Sequence, residues 1–351
     1  MGSRNRNAAI DFMKIVGATL IVLHHYQQGT KIELEHIAFF NGNFNFGYVV
    51  EMFFVISGLL ANNGLNRQQV PTIQSFGGGK IRRIMPTLAV SVILETILRY
   101  AYVMNYGNGE FDIDFLDILV NSSGMGWGYF ETKTINQPTW YIAVLTLCWI
   151  EIYAANWLSR RLGSDKLVIY GTLILLGLYA NTYGWKGFLI SSTIGRGMVS
   201  FFAGAILAEY VRGRRQSKKD YLLLIIPIIF VLLLNFAHDF VSSGTFVFYT
   251  AFMWIPILIV GLGHMPEEMK GKKIISFLGM ASFGVYVWNE PLSVARNIVA
   301  SHFGINLQTI SAMCLFVSVN WIVGICSFLL IEKPADRYFR ERKKSKGALI
   351  G

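Results

Sequence analysis

Four long runs of this chain contain no Asp, Glu, Lys or Arg: Leu167 to Trp185, Tyr221 to His238, Phe240 to Pro266 and Asn297 to Ile331. Each is long enough to include the ~20 apolar residues that a helical membrane span requires. Charged residues are only 15% of the whole and apolar residues 53%, whereas a soluble domain carries about a quarter charged residues. The runs and the apolar stretches between them predict an all-α integral membrane protein, a polytopic bundle of about ten transmembrane helices. The spans fall near 8–27, 44–62, 84–105, 138–158, 167–182, 190–211, 221–237, 245–263, 275–298 and 308–331.

The basic residues orient this arrangement. With the N terminus in the cytoplasm, 24 of the 31 lysines and arginines fall in cytoplasmic segments, and only Lys31, Lys133 and Lys186 fall in outer loops. Cytoplasmic loops of membrane proteins carry such an excess, so both termini are expected inside. The net charge of +10 follows from this topology and calls for no nucleic acid. Residues 1–335 read as one transmembrane domain and 336–351 as a basic cytoplasmic tail, in a multi-pass protein of the cell membrane. No separate soluble domain is expected.

The first apolar run is expected to be retained, because His24, His25 and Tyr26 stand where a cleavable signal would have small residues. Met1-Gly2 does not fit a myristoylation signal, because position 6 is Arg6. Cys148, Cys314 and Cys326 all lie inside spans and read as small packing residues, and no metal set is expected. Gly77-Gly78-Gly79 reads as a flexible turn before Lys80.

Ionisable groups at membrane depth are costly and point to function. On the first span Asp11, Lys14 and His25 share one helical face, and Lys14 and His25 are about 16 Å apart along the axis. His24 points about 100° away and reads as structural. Glu51 enters the second span from the outer side, toward the depth of His25. Lys80 and Arg83 share a face at the opening of the third span, on the membrane side of Lys14. Three such cations suit a polyphosphate such as coenzyme A, since Arg offers a planar fork and Lys a point charge. Arg196 stands alone in the sixth span, either as a snorkelling anchor or as a ligand-binding cation. The longest outer segment, about Asn105 to Gln137, is acidic (Glu110, Asp112, Asp114, Asp117, Glu131) and carries Trp127, Tyr129 and Phe130. It reads as a solvated loop with an interfacial aromatic belt, or as a surface for hydrogen bonding and stacking on a sugar.

Several of these residues fall in an ordered set of motifs. Asp11-x-x-Lys14-x10-His25 is followed by Glu51-Met-Phe-Phe-Val-Ile-Ser-Gly58 and Lys80-Ile-Arg-Arg-Ile-Met-Pro86. Then come Thr139-Trp-Tyr-Ile-Ala-Val144, Arg196-Gly-Met-Val-Ser-Phe-Phe-Ala-Gly204, Leu278-Gly-Met280 through Trp288-Asn-Glu-Pro291, and Ile331-Glu-Lys-Pro334. In kind and order the set resembles the membrane-bound acyltransferase-3 family. The resemblance implies about ten helices and transfer of an acyl group, usually acetyl, from acyl-coenzyme A to an extracytoplasmic or lipid-linked glycan. It implies His25 as general base with Glu51 orienting it, and Asp11 as support. Lys14, Lys80, Arg83 and Arg196 are expected to hold acetyl-CoA, and Trp140 and Asn289 to meet substrate. The chain departs from the family pattern at three places. Lys14 replaces an Arg, Leu145 and Thr146 stand where a carboxylate is common, and Asn289 replaces a His. Asn289 still hydrogen-bonds but cannot take up a proton near neutral pH, which leaves His25 as the matched base.

Two other classes fit many helices with a few buried charges: a transporter or flippase for a lipid-linked sugar, and a catalytically impaired scaffold. Paired Gly/Pro-broken spans in matching halves would mark the first, and none is evident. Thioester hydrolysis separates an enzyme from both. The sequence leaves oligomeric state open.

Overall fold

A computed structural model of the chain describes residues 7–34, 38–40, 45–67, 72–106, 111–126, 133–187, 189–212, 225, 229, 254–262 and 271–348. The helices are α1 (Ala8–Thr30), α2 (Val49–Asn66), α3 (Ile73–Tyr106), α4 (Phe115–Ser122), α5 (Trp140–Leu162), α6 (Lys166–Thr182), α7 (Ser192–Val211), α8 (Ile255–Leu262), α9 (Lys272–Phe303), α10 (Ile310–Ser327) and α11 (Lys333–Ala348). A 3-10 turn, Phe46–Tyr48, leads into α2, and a π turn, Phe328–Glu332, joins α10 to α11. One small antiparallel ladder pairs β1 (Lys186–Gly187) with β2 (Ile190–Ser191).

Helix starts follow local chemistry. Asn7 Oδ1 accepts from Ala9 N at 2.9 Å, Ser191 caps α7 through Ile194 N, and Thr309 caps α10 through Ala312 N. Each satisfies an amide that the first helical turn leaves open. Asp114 and Asp117 form a reciprocal capping box that opens α4, a short helix within the segment read from sequence as an outer loop. Among the described residues, six helical stretches are long and apolar enough to cross a membrane: Ala8–Thr30, Phe46–Asn66, Phe76–Tyr106, Gln137–Leu162, Ser192–Val211 and Ile310–Phe339. Lys166–Thr182 is apolar but shorter. The expected span 221–237 lies almost wholly outside the described residues, as does most of 245–263. The expected turn at Gly77–Gly79 is not one. These glycines lie within α3, which begins at Ile73, eleven residues before the expected 84.

The chain divides into two compact units. One comprises residues 1–27, 33–70 and 144–279, and the other residues 28–32, 71–143 and 280–351. In the first unit α7 packs on both α2 and α6, and small residues set the approach. A Cβ at Gly58 would overlap the Phe201 carbonyl oxygen, and one at Gly204 would overlap that of Val55. Gly177 and Gly195 make the same kind of contact between α6 and α7. Close backbone approach through small residues is how helices associate where lipid is as apolar as leucine. A polar knot ties one end of this unit. Asn62 and Asn66 both donate to Glu209 Oε1, at 2.7 and 2.6 Å, and Lys166 Nζ joins them at 2.6 Å. Tyr170 continues the chain to Asn62 and Asn156. Amides, a hydroxyl, an ammonium and a carboxylate thus satisfy one another in one network.

In the second unit α3 packs against α4 and α11. Gly284 on α9 and Gly324 on α10 let those helices touch, with a Cβ at Gly284 meeting the Gly324 carbonyl oxygen at 2.8 Å. Gly304, at φ 64°, closes α9, where Ile305 N donates to Ala300 O at 3.0 Å.

Gly204→Val should lower stability by roughly 1–3 kcal/mol or more, because the branched side chain meets backbone rather than a movable side chain. Gly64→Ala is the control, since nothing lies within 4 Å of its Cβ position. Thermal unfolding midpoints in detergent check this. Equal midpoints for the two variants would contradict the α2–α7 packing.

Candidate active site

In the first unit, α1 carries Asp11, Lys14, His24 and His25. Asp11 is buried, and Lys14 Nζ lies 3.9 Å from its carboxylate, an i,i+3 pair on one face. Gly279, in the Leu278-Gly-Met280 motif, sits against Asp11, and a Cβ there would meet Asp11 Cβ at 2.6 Å. Two motifs distant in sequence thereby meet. Near the other end of α1, Gln27 Oε1 accepts from the amides of Phe39 and Phe40. His24 Nδ1 donates to the Phe39 carbonyl at 2.7 Å. A carbonyl only accepts, so Nδ1 carries a proton. The two imidazoles stand edge to face with centroids 5.1 Å apart. His24 is buried and His25 half-buried. His24 thus clamps the chain at Phe39.

Glu51 is fully buried on α2, and its carboxylate binds the guanidinium of Arg196 on α7 through both oxygens. Arg196 Nη2 lies 2.9 Å from Oε2 and also donates to the Gly47 carbonyl at 2.8 Å, while its Cζ lies 5.1 Å from the Tyr48 ring. Planar fork meets carboxylate, the geometry that makes Arg rather than Lys suited to this site. From sequence, Glu51 was matched with the imidazole of His25. The structure instead gives it Arg196, 145 residues away. Arg196 is therefore no snorkelling anchor but half of a buried ion pair. A guanidinium fixed in this way is a preorganised positive charge.

The second unit holds Lys80, Arg83, Trp140 and Asn289. Lys80 Nζ lies 3.8 Å from the centre of the Phe76 ring. Arg83 Nε lies 3.4 Å from Glu332 of the Ile331–Pro334 motif, and Nη2 donates to Met280 O at 3.1 Å. Its Nη1 makes no hydrogen bond among the described residues, and the side chain is 38% exposed. One edge of Arg83 is thus structural and the other is open to an anion. Trp140 begins α5, half-buried. Asn289 is fully buried on α9, and neither its Oδ1 nor its Nδ2 has a hydrogen-bond partner among the described residues. A buried amide left unsatisfied is costly, which makes Asn289 a candidate ligand contact.

The sequence reading passed over Glu95 and Arg99. Both Arg99 Nε and Nη2 donate to the buried Glu95 Oε1, at 2.9 and 2.7 Å. Their i,i+4 spacing inside an apolar stretch was the available signal. Nearby, Asp112 pairs with Lys133 and raises the lysine's pKa above its ordinary value, chiefly through the hydrogen bond between them. Trp127, Tyr129, Phe130, Glu110 and Glu131, read from sequence as part of a solvated outer loop with an interfacial aromatic belt or of a sugar-binding surface, lie outside the described residues. No group of three or more His, Cys, Asp or Glu able to hold a metal occurs among the described residues.

Glu51→Gln should destabilise the protein by about 3–5 kcal/mol, because it strands the Arg196 charge. Adding Arg196→Gln should recover part of the loss. Unfolding midpoints for the two single variants and the double variant check this. Strictly additive losses would contradict a direct pair.

No curated protein and no solved structure matches the chain. A family model described as an acyltransferase domain matches residues 7–330, a stretch that contains every candidate residue named above except Glu332. The chain therefore belongs to the acyltransferase-3 family and is a membrane enzyme that transfers acyl groups.

Proposed function

We propose that this enzyme moves an acyl group, acetyl in the simplest case, from acyl-coenzyme A at the cytoplasmic side of the cell membrane to a hydroxyl of an extracytoplasmic or lipid-linked glycan. The proposal includes ten spans with both termini inside, as the distribution of basic residues suggests. The observation that carries it is the family match together with an imidazole, His25, on the same helix as Lys14 and in the same unit as the fixed Glu51–Arg196 pair. A family match alone leaves the chemistry open. A base, a donor-binding cation and a preorganised cation are what acyl transfer from a thioester requires.

His25 removes the proton from the acceptor hydroxyl as the oxygen attacks the thioester carbonyl. The carbonyl oxygen takes up the electron pair and becomes an oxyanion, which Arg196 stabilises while Glu51 holds the guanidinium in place. As the tetrahedral intermediate collapses, the carbon–sulfur bond breaks, and the imidazolium returns its proton to the leaving thiolate. Glu51 thus acts on Arg196 rather than on the imidazole. Lys14, Lys80 and Arg83 bind the coenzyme phosphates, and the open Nη1 edge of Arg83 suits a phosphate oxygen. Trp140 and Asn289 meet substrate. Attack by His25 itself, giving an acyl-imidazole, would use the same residues.

His25→Ala should reduce acyl transfer by about 10²–10⁴-fold, with donor affinity and thermal stability near wild type. Lys14→Ala should instead raise the KM for acetyl-CoA, and Lys14→Arg should restore it. Coenzyme A release and acyl incorporation by purified protein measure both. Full turnover in His25→Ala would remove the general base.

A further inference from the structure

The second unit contains a cavity of about 430 Å³ that plays no part in the mechanism above. Its volume falls in the range of small-molecule sites, ~300–1,000 Å³. Arg99 and Tyr102 of α3, Phe111, Thr134, and Glu290 and Asn297 of α9 contribute to its wall.

The wall holds two open groups of opposite charge. Arg99 is fixed by Glu95 and by the Ile135 carbonyl, while its Nη1 makes no hydrogen bond among the described residues. The Glu290 carboxylate lies 3.7 Å from Arg99 Nη2, too far for a hydrogen bond, so its acceptor sites stay open among the described residues. Lys133 and Asp112, also in the wall, neutralise each other. Asn297 uses its Oδ1 for Arg296, and its Nδ2 makes no hydrogen bond among the described residues. The Thr134 and Tyr102 hydroxyls are likewise without hydrogen-bond partners there.

These groups suit a ligand that is itself a charge pair. An anion on Arg99 would lie close to the Glu290 carboxylate, and a cation on Glu290 would lie close to the guanidinium. Each like-charge approach lowers affinity. A zwitterion satisfies both groups at once. The open carboxylate and the two hydroxyls favour a primary ammonium, which donates three hydrogen bonds, over a quaternary one, which donates none.

The surroundings indicate what carries the zwitterion. Ile93, Ile97, Tyr100 and Met104 recur at i, i+4, i+7 and i+11 on α3 and form an exposed apolar stripe. Phe111 of the cavity wall packs edge to face on Tyr100, with centroids 5.2 Å apart, so the stripe borders the cavity. On a membrane-spanning helix such a stripe faces acyl chains. A soluble zwitterion would leave it unused.

We propose that this cavity binds the headgroup of a zwitterionic phospholipid bearing a primary ammonium, as an ethanolamine phospholipid does. The phosphodiester accepts from Arg99 Nη1 and Asn297 Nδ2. The ammonium donates to Glu290 and to the Thr134 and Tyr102 hydroxyls. The acyl chains lie along the stripe from Ile93 to Met104. The site stands apart from the acyl transfer proposed above.

Native mass spectrometry of the purified full-length protein in detergent tests this. The protein is titrated with phosphatidylethanolamine, phosphatidylcholine or phosphatidylglycerol carrying the same acyl chains. The ethanolamine lipid should bind about tenfold more tightly than either of the others, as expected for hydrogen bonds to a charged group. Glu290→Gln should erase that preference. Thr134→Val, a near-isosteric change, should weaken ethanolamine-lipid binding several-fold and keeps the test decisive if Glu290→Gln fails to fold. Soluble glycerophosphoethanolamine, which lacks the chains, should displace the lipid only in large excess. Equal affinity for the three lipids, a preference for the choline or glycerol lipid, a preference that survives Glu290→Gln, or unchanged affinity in Thr134→Val would overturn the proposal. Displacement by equimolar glycerophosphoethanolamine would overturn it too, and would make the occupant a soluble zwitterion.

Discussion

The buried contact between Glu51 and Arg196 governs how the first unit can be built. Hydrocarbon offers no water to either group, and separating them costs several kcal/mol. α2 must therefore pass α7 at a level and rotation that bring fork to carboxylate. Gly58 and Gly204 make that approach possible by removing the side chains that would hold the backbones apart. Gly47 adds a carbonyl to the same guanidinium, so the turn entering α2 is fixed with the helix. A pair that organises helices in this way also leaves a rigid positive charge beside an imidazole-bearing helix, and catalysis needs that rigidity.

The second unit follows the same rule with different partners. Arg83 is held by Glu332 and Arg99 by Glu95, each cation meeting a carboxylate whose side chain is fully buried. Neither arginine is fully consumed by its structural contact. Each keeps its Nη1 clear of hydrogen bonds among the described residues. Charges placed to hold helices together thus also keep an edge free, and the coenzyme phosphate proposed at Arg83 would use it.

Most of the helices could be read from apolar run length. The expected spans at 8–27, 167–182 and 190–211 correspond to α1, α6 and α7 within three residues at either end. The start of α3 was hidden because Gly77–Gly79 and three nearby cations look like a loop. The helix persists there while Arg83 reaches Glu332, 249 residues away, a contact that periodicity does not reveal. α4 was hidden inside an acidic segment, although its Asp114–Asp117 box is a local signal. In the candidate site, Asp11, Lys14 and His25 could be placed together because one helix carries all three. The partner of Glu51 could not, because pairing across 145 residues is a tertiary fact.

Transfer between donor and acceptor on opposite faces of a membrane is the central claim, and reconstituted vesicles test it most directly. Acetyl-CoA carrying a radiolabelled acetyl group is enclosed in the lumen of vesicles containing the purified protein, and an oligosaccharide is supplied outside. Label should appear on the external saccharide as ester while free coenzyme A accumulates only in the lumen, and vesicles containing His25→Ala should show neither. Label confined to the lumen, or thioester consumed equally by His25→Ala, would contradict the claim.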